Sequence, residues 1–479
     1  MSIPTQDPEK AEAPERQSTI SSFKPVLKNR NFQFLLIAQL VSQIVLNAAN
    51  FGTILLVNQI THNNVILAGV AIIAFTLPAV PFSALAGVLV EKQNKRHVLW
   101  ISNILRFGTM FLFVISLQAD RTNLWPLFTL SFLTSIIGQF FSPAEGASIP
   151  LLVGERELLP ALSLFNISLS VAQAIGFLLL GSLIAIIFPP FTLPLGFTTL
   201  HVQSIDMLFV ISGISYVVCA ILILAIPSQA FNEAHLYKRG KSEAPVQIGQ
   251  TIEALWHDLV SGWHIVTSDR MLYFAVIQVS VANVLMLLIG QVAGAFVVDF
   301  LDLPTTYMSL ILAPAALGLV GASFLMPSFS QRLGKIRLII TGLLALCIGF
   351  ILFPVSHWLA LVIDPKHGAS SPWFLLLTVL LVFAIGVAIS CVNVPAQTIM
   401  QEHAPETSRA RVLSLQFMLY NAGSIPVLLF AGLIGRVIGL SELMIFIGLS
   451  MLLFCGWGVR FIKRNTPQDT TMPVETTSQ

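Results

Sequence analysis

Four amides near the start of the chain, Gln39, Gln43, Asn47 and Asn50, stand at i, i+4, i+8 and i+11. A helix through them carries a ladder of neutral hydrogen-bonding groups on one face. Such side chains bind by donating and accepting hydrogen bonds; they neither titrate near neutrality nor attack a substrate. Similar groups recur in other apolar stretches: Ser131, Ser135 and Gln139; Asn393, Gln397 and Gln401; Gln278, Asn283, Gln291, Gln416 and Asn421. Polar side chains among apolar helices can line a wet cavity or bond one helix to another, and spacing leaves both readings open. The set expected to line a cavity is Gln43, Asn47, Asn50, Gln139, Gln278, Asn283, Gln397 and Asn421.

Charged groups inside apolar stretches are scarce. Arg106 is the one charge well within such a stretch, and it is read either as functional or as a base that snorkels or caps a neighbouring helix. Glu145 lies near the end of another stretch; no acid or histidine lies in the middle of one. The spacing shows no nucleophile–base pair, metal-ligand cluster or phosphate-binding loop, so no enzyme activity and no cofactor are expected. The four cysteines, Cys219, Cys347, Cys391 and Cys455, sit inside apolar segments and read as small core residues.

The elements that hold these groups must be membrane helices. Of 479 residues, 55% are hydrophobic and 10% charged, and mean hydropathy is +0.84. A soluble domain carries about 25% charged residues and could not hide this much apolar surface. Twelve stretches suit a span: 33–57, 66–89, 98–118, 124–143, 160–188 and 205–227, then 271–298, 306–329, 336–356, 372–396, 412–434 and 441–462. With the N-terminus inside, 21 of the 25 Lys and Arg fall on the cytoplasmic side and only Arg121, Lys366 and Arg436 outside. This bias places both termini in the cytoplasm. A cysteine introduced at Thr122 should therefore react with an impermeant maleimide in intact cells, and one at Ser242 only after permeabilisation; labelling of Ser242 in intact cells would reverse the topology.

The chain also says one thing twice. Glu91-Lys-Gln-Asn-Lys-Arg-His-Val-Leu stands between two apolar stretches, and so does Ser330-Gln-Arg-Leu-Gly-Lys-Ile-Arg-Leu. Ser142-Pro-Ala and Val394-Pro-Ala each open a polar loop, with Pro143 and Pro395 lying 252 positions apart. Two halves on one plan imply a substrate site between repeated bundles. The expected organisation is a disordered cytoplasmic tail (1–24), a six-helix bundle (25–228), a cytoplasmic linker (229–270), a second six-helix bundle (271–464) and a second tail (465–479). No short apolar leader precedes the first span. In the linker, Ile248, Ile252, Leu255, Trp256, Leu259, Val260 and Trp263 recur at helical spacing, as in an amphipathic surface helix.

Twelve spans in two halves, with a basic loop after the second span of each, resemble the major facilitator superfamily over about residues 25–464. That family's loop motif, Gly-x-x-x-Asp-Arg-x-Gly-Arg-Arg, corresponds to Gly87, Glu91, Lys92, Asn94, Lys95 and Arg96, with a weaker echo in Gln331, Arg332, Gly334, Lys335 and Arg337. The resemblance implies an all-α fold of two pseudo-symmetric six-helix bundles and a gating role for Gly87, Glu91, Lys95, Arg96, Arg332, Lys335 and Arg337. The alternative role of the basic residues among them is as cytoplasmic positive charge. Leu27-Lys-Asn-Arg-Asn-Phe, Phe141-Ser-Pro-Ala and Arg409-Ala-Arg-Val-Leu-Ser further resemble the branch holding macrolide-efflux proteins and the enterobactin exporter. Departures are clear: the fourth-span Arg of drug/proton antiporters is missing in Ser135-Ile-Ile-Gly-Gln139, Gly176-Phe177 replaces a Gly-Pro pair, and Val45, Leu46 and Asn47 stand where that branch has an acid. The resemblance implies an inner-membrane exporter of an amphipathic small molecule, working as a monomer in lipid without nucleic acid, with Arg106 and Glu145 the candidates for a coupling proton. A facilitator or importer of a neutral solute, and a sensor or assembly factor that keeps the fold without transport, are the alternatives.

Overall fold

The chain starts its helices where short polar side chains can satisfy otherwise orphaned amides. Asn29, Asn64, Asn94 and Asn123 each accept from backbone N–H groups two or three residues on, at 3.0–3.3 Å, and so N-cap four of the long helices. Asp269 does the same at the head of the second half, accepting from the amides of Met271 (2.8 Å) and Leu272 (3.2 Å).

The structure is a computed structural model that describes residues 19–463, apart from 92, 155–156, 177–183, 185–186, 195–198, 232–259, 305–306, 364–370 and 406–408. In the first half the helices are α1 (Thr19–Lys28), α2 (Arg30–Ile60), α3 (Val65–Thr76), α4 (Ala79–Glu91), α5 (Lys95–Ala119), α6 (Leu124–Leu152), α7 (Leu158–Ala174) and α8 (Ser204–Ala225). The second half holds α9 (Arg270–Ala295, continued by a π-helical turn Phe296–Phe300), α10 (Met308–Leu333), α11 (Lys335–Ile363), α12 (Pro372–His403), α13 (Arg409–Val437) and α14 (Leu440–Lys463). Among the described residues ten helical runs are long and apolar enough to cross a membrane. Of the other two expected spans, the eighth falls on α10, whose apolar centre is Leu310–Met326, and the fifth on α7 and residues beyond it that are only partly described.

Several boundaries differ from expectation. The second span is two helices, because Pro78 has no amide to donate and the chain turns there, with Val80 N–H bonding Leu77 O at 3.1 Å. The sequences after Pro143 and Pro395 are not loops: α6 runs on to Leu152 and α12 to His403, so both prolines are helical. Helix α1 begins at Thr19, ahead of the expected boundary at residue 25, and its Val26 is fully buried. The loop expected at 189–204 contains an antiparallel hairpin, β1 (Phe191–Pro194) against β2 (Thr199–Val202), with Phe191 opposite Val202 and Leu193 opposite Leu200. Aromatic and β-branched residues suit that pairing. The tails 1–18 and 464–479 and the linker helix over 248–259 lie outside the described residues; Val260 and Trp263, in the helical turns that follow, are exposed.

The repeat in sequence is a repeat in packing. Helix α5 packs on α8 and on α6 as α11 packs on α14 and on α12, and α4 meets α6 as α10 meets α12. The crossing of α10 and α12 is backbone to backbone, since a Cβ at Gly386 would overlap the carbonyl of Ala315. Small residues at such crossings let apolar helices gain dispersion contacts where lipid offers no hydrophobic drive. Between the halves, α3 packs on α13 and α9, and α2 on α9.

Candidate functional site

Where α2 faces α9, the two halves leave a chamber of about 360 Å³, open space included. Asn47 and Asn50 of α2, Phe75 of α3, Gln173 of α7, Asn283, Met286 and Leu287 of α9, and Tyr420 of α13 line it. Each half contributes, and none of the lining side chains carries a formal charge. The amide of Asn47 donates to Gln43 O one turn back (2.8 Å), and Gln173 Nε2 reaches Met286 Sδ across the seam at 3.6 Å. Asn50 and Asn283 make no side-chain hydrogen bond among the described residues, so their amides are free for something in the chamber.

Three of the eight side chains expected at a cavity, Asn47, Asn50 and Asn283, thus meet in one place. Gln43 contributes only its carbonyl, to Asn47. Gln139 bonds its own helix at Ser135 O (3.4 Å), and Asn421 bonds Phe417 O (2.8 Å). Gln278 is fully buried with its amide turned toward Gly458 of α14, away from the chamber. Gln397 is half-buried on α12 and does not line the chamber. The sequence reading missed Phe75, Gln173, Met286, Leu287 and Tyr420. Gln173, an amide inside the fifth span, carried the same signal as the residues chosen; Tyr420 sits one residue, about 100° of helix rotation, from the Asn421 that was chosen.

A second polar cluster lies inside the first half. Arg106 of α5 is buried, donates to Ser42 Oγ (2.9 Å), and places its guanidinium over the rings of Phe141 (4.5 Å) and Tyr216 (5.6 Å). Its charge acts on the carboxylate of Glu145, also buried, whose Oε1 accepts no hydrogen bond among the described residues. Arg106 is therefore held by neighbouring helices rather than snorkelling to the surface.

The loop charges hold helix ends. Asn94, which replaces the motif's glycine, caps α5, and Arg96 donates to Leu224 O (2.6 Å), satisfying a carbonyl at the C-terminal end of α8. Lys95 is buried, while Gly87 and Glu91 fall in the last turns of α4. In the second copy, Lys335 at the start of α11 pairs with Glu402 at the end of α12, and Arg332 and Arg337 are exposed. The neighbour of Glu402, His403, meets the α9 cap Asp269 at 2.8 Å. Partial burial works against the Asp269 carboxylate, but hydrogen bonds from His403 and the α9 amides outweigh it and hold its pKa below the ordinary carboxylate range. That cap's stabilisation is present above the ordinary range and is lost as pH falls through the lowered folded value. At the other end of the first half, Arg121 pairs with the buried Asp206 that also accepts from Gln203 N–H (2.9 Å) and Gln118 (3.1 Å), tying the α5–α6 turn to α8.

A membrane bundle of two pseudo-symmetric halves with a chamber at their seam defines a membrane transporter. Residues 35–428 match the Major Facilitator Superfamily, and the chain belongs to that superfamily. It is 24% identical over 397 residues to an uncharacterized MFS-type transporter of Bacillus subtilis (strain 168), YvqJ, covering 83% of this chain and 84% of that one. Among solved structures it resembles the nucleoside transporter NupG (TM-score 0.63, 14% identity, 90% of this chain and 99% of that one). It also resembles the POT family transporter PepTSo (TM-score 0.63, 12% identity, 92% and 99%). At these identities the likeness is one of fold.

Proposed function

We propose that this chain is a secondary active transporter that exports an uncharged or weakly charged amphipathic small molecule by alternating access. The observation that carries this reading is the chamber at the seam, where amides from both halves stand beside Phe75, Met286, Leu287 and Tyr420 with no charged side chain among them. Amides orient a neutral polar group, and the aromatic and apolar walls take the rest of the molecule. The resemblance of Phe141-Ser-Pro-Ala and Arg409-Ala-Arg-Val-Leu-Ser to the macrolide-efflux and enterobactin-exporter branch supports outward transport, from a bacterial inner membrane with both termini in the cytoplasm. Glu145, facing the charge of Arg106 in the buried cluster of the first half, is the carboxyl we assign to a coupling proton.

The test uses inverted inner-membrane vesicles and radiolabelled chloramphenicol, a neutral amphiphile. Uptake should require the protein and should rise with a pH gradient. Glu145→Gln should keep downhill exchange and lose the dependence on the gradient. Uptake confined to right-side-out vesicles would favour the facilitator or importer reading, which the same neutral lining also suits. Flux in neither orientation, with this and a panel of similar neutral amphiphiles, would favour a non-transporting protein on the same fold.

A further inference from the structure

The second half holds a half-open space whose lining is apolar throughout. Met286, Phe296, Leu312, Phe353, Val382 and Ile385 are among the residues around it, on α9, α10, α11 and α12 and the π-helical turn, and nearly all are buried. The space totals about 710 Å³, its open mouth included. Protein interiors are close-packed, and a void forfeits the contacts its walls would make. At the matching layer of the first half two aromatic rings pack face to face instead. Phe113 stands 18 residues into α5, as Phe353 does into α11, and Phe113 stacks on Phe209 with ring centres 4.6 Å apart to fill the bundle. Walls without a polar group offer water no hydrogen-bond partner and suit hydrocarbon.

Its position says what the hydrocarbon belongs to. Met286 lines both this pocket and the amide chamber, so the two spaces adjoin at one flexible, unbranched side chain. Resting on the export reading above, we infer that the pocket is the subsite for the hydrocarbon part of the substrate, whose neutral polar end lies against Asn47, Asn50 and Asn283. The substrate class is then an uncharged amphiphile with a compact polar head and a short alkyl or single-ring tail that enters past Met286. A lipid acyl chain is the competing occupant, and it would reach the pocket without help from the amides.

The experiment uses the full chain in nanodiscs, empty nanodiscs as the blank, and N-alkylacetamides from ethyl to octyl as probes. Affinity on the free aqueous concentration should rise about four-fold per methylene for the first members and then level off as the pocket fills. Val382→Trp, and independently Ile385→Phe, should remove the rise, so that the butyl to octyl members bind no more tightly than the ethyl member. If either variant fails to fold, Val382→Leu carries the same comparison with a smaller effect. A rise that persists in the filled variants, or no saturable binding of any member, overturns the subsite. Asn47→Leu with Asn283→Leu should weaken every member by one common factor and keep the slope. No weakening there, with the slope still sensitive to Val382 and Ile385, leaves hydrocarbon binding standing and rejects the chamber as the site of the polar head.

Discussion

Asn47→Leu or Asn283→Leu is expected to lower transport per folded molecule by about ten-fold while barely changing stability. The size follows from losing one hydrogen bond to the substrate in a desolvated chamber, about 1–1.5 kcal/mol, with 1.4 kcal/mol equal to a factor of ten. The competing account is that these amides hold helices together. Interhelical hydrogen bonds in membranes average only about 0.6 kcal/mol, so stability would fall slightly and transport would fall with it. The structure separates the two accounts. Asn47 spends its N–H on its own helix, at Gln43 O, and Asn283 has no side-chain partner among the described residues. Removing either therefore breaks no bond between helices. The measurement is initial transport rate normalised to folded protein, set against thermal stability in detergent. Parallel decline of both quantities, or no change in either, would return the two residues to a structural role.

That Asn47, Asn50 and Asn283 were legible and Tyr420 was not has a physical origin. Amides are costly in lipid, so each one marks a helix face that must look inward. Apolar and aromatic residues are at home on either side, and nothing in Phe75 or Met286 distinguishes a chamber wall from a lipid-facing residue. A stripe also reports one face of one helix and not its partner. Gln278 and Asn283 share α9, yet five residues rotate them about 140° apart, and only Asn283 meets the first half. The contacts at the helix ends were hidden for another reason. Asp269 with His403 and Lys335 with Glu402 join residues 134 and 67 positions apart, and local pattern carries no information on such pairings. The spans themselves were legible because hydropathy acts residue by residue, while their ends were not. Pro143 and Pro395 look like breaks, but neighbouring helices in a bundle tolerate the lost bond and the helix continues.

Gly294→Val is expected to hold the halves apart on the face of the membrane where Thr122 lies, and to reduce transport nearly to background. Gly294 sits on α9 directly against Asn58 of α2. A Cβ there would lie 2.7 Å from both Nδ2 and Oδ1 of that buried amide, closer than side chains pack. A short side chain wedged between helices cannot yield as a long one can, so relief must come from separating α2 and α9. The same seam is bridged by Gln291, whose Nε2 donates to Val65 O of α3 at 3.0 Å and to Leu428 O of α13 at 2.9 Å. Gly69 and Gly432 flank it, with Gln291 Nε2 only 2.5 and 3.2 Å from where their Cβ atoms would be. This seam therefore closes only because Gly69, Gly294 and Gly432 carry no side chain there. Opening it forfeits the Gln291 bond to Val65 O, the one of the two that crosses between the halves, about 0.5–1.5 kcal/mol, enough to change the ratio of two conformations by roughly two- to ten-fold. A carrier that must close this seam once per cycle then stalls with it open. The readout is an Asn50→Cys probe in a background with the half-buried Cys391 replaced: impermeant maleimide added on the Thr122 side should label it faster when Gly294→Val is present. Gln291→Leu should move the labelling the same way by a smaller amount, because it removes the bridge without inserting bulk. Labelling and transport both unchanged in Gly294→Val would mean that the contact of α2 with α9 does not open during transport, and the alternation of the two halves would have to be sought elsewhere in the bundle.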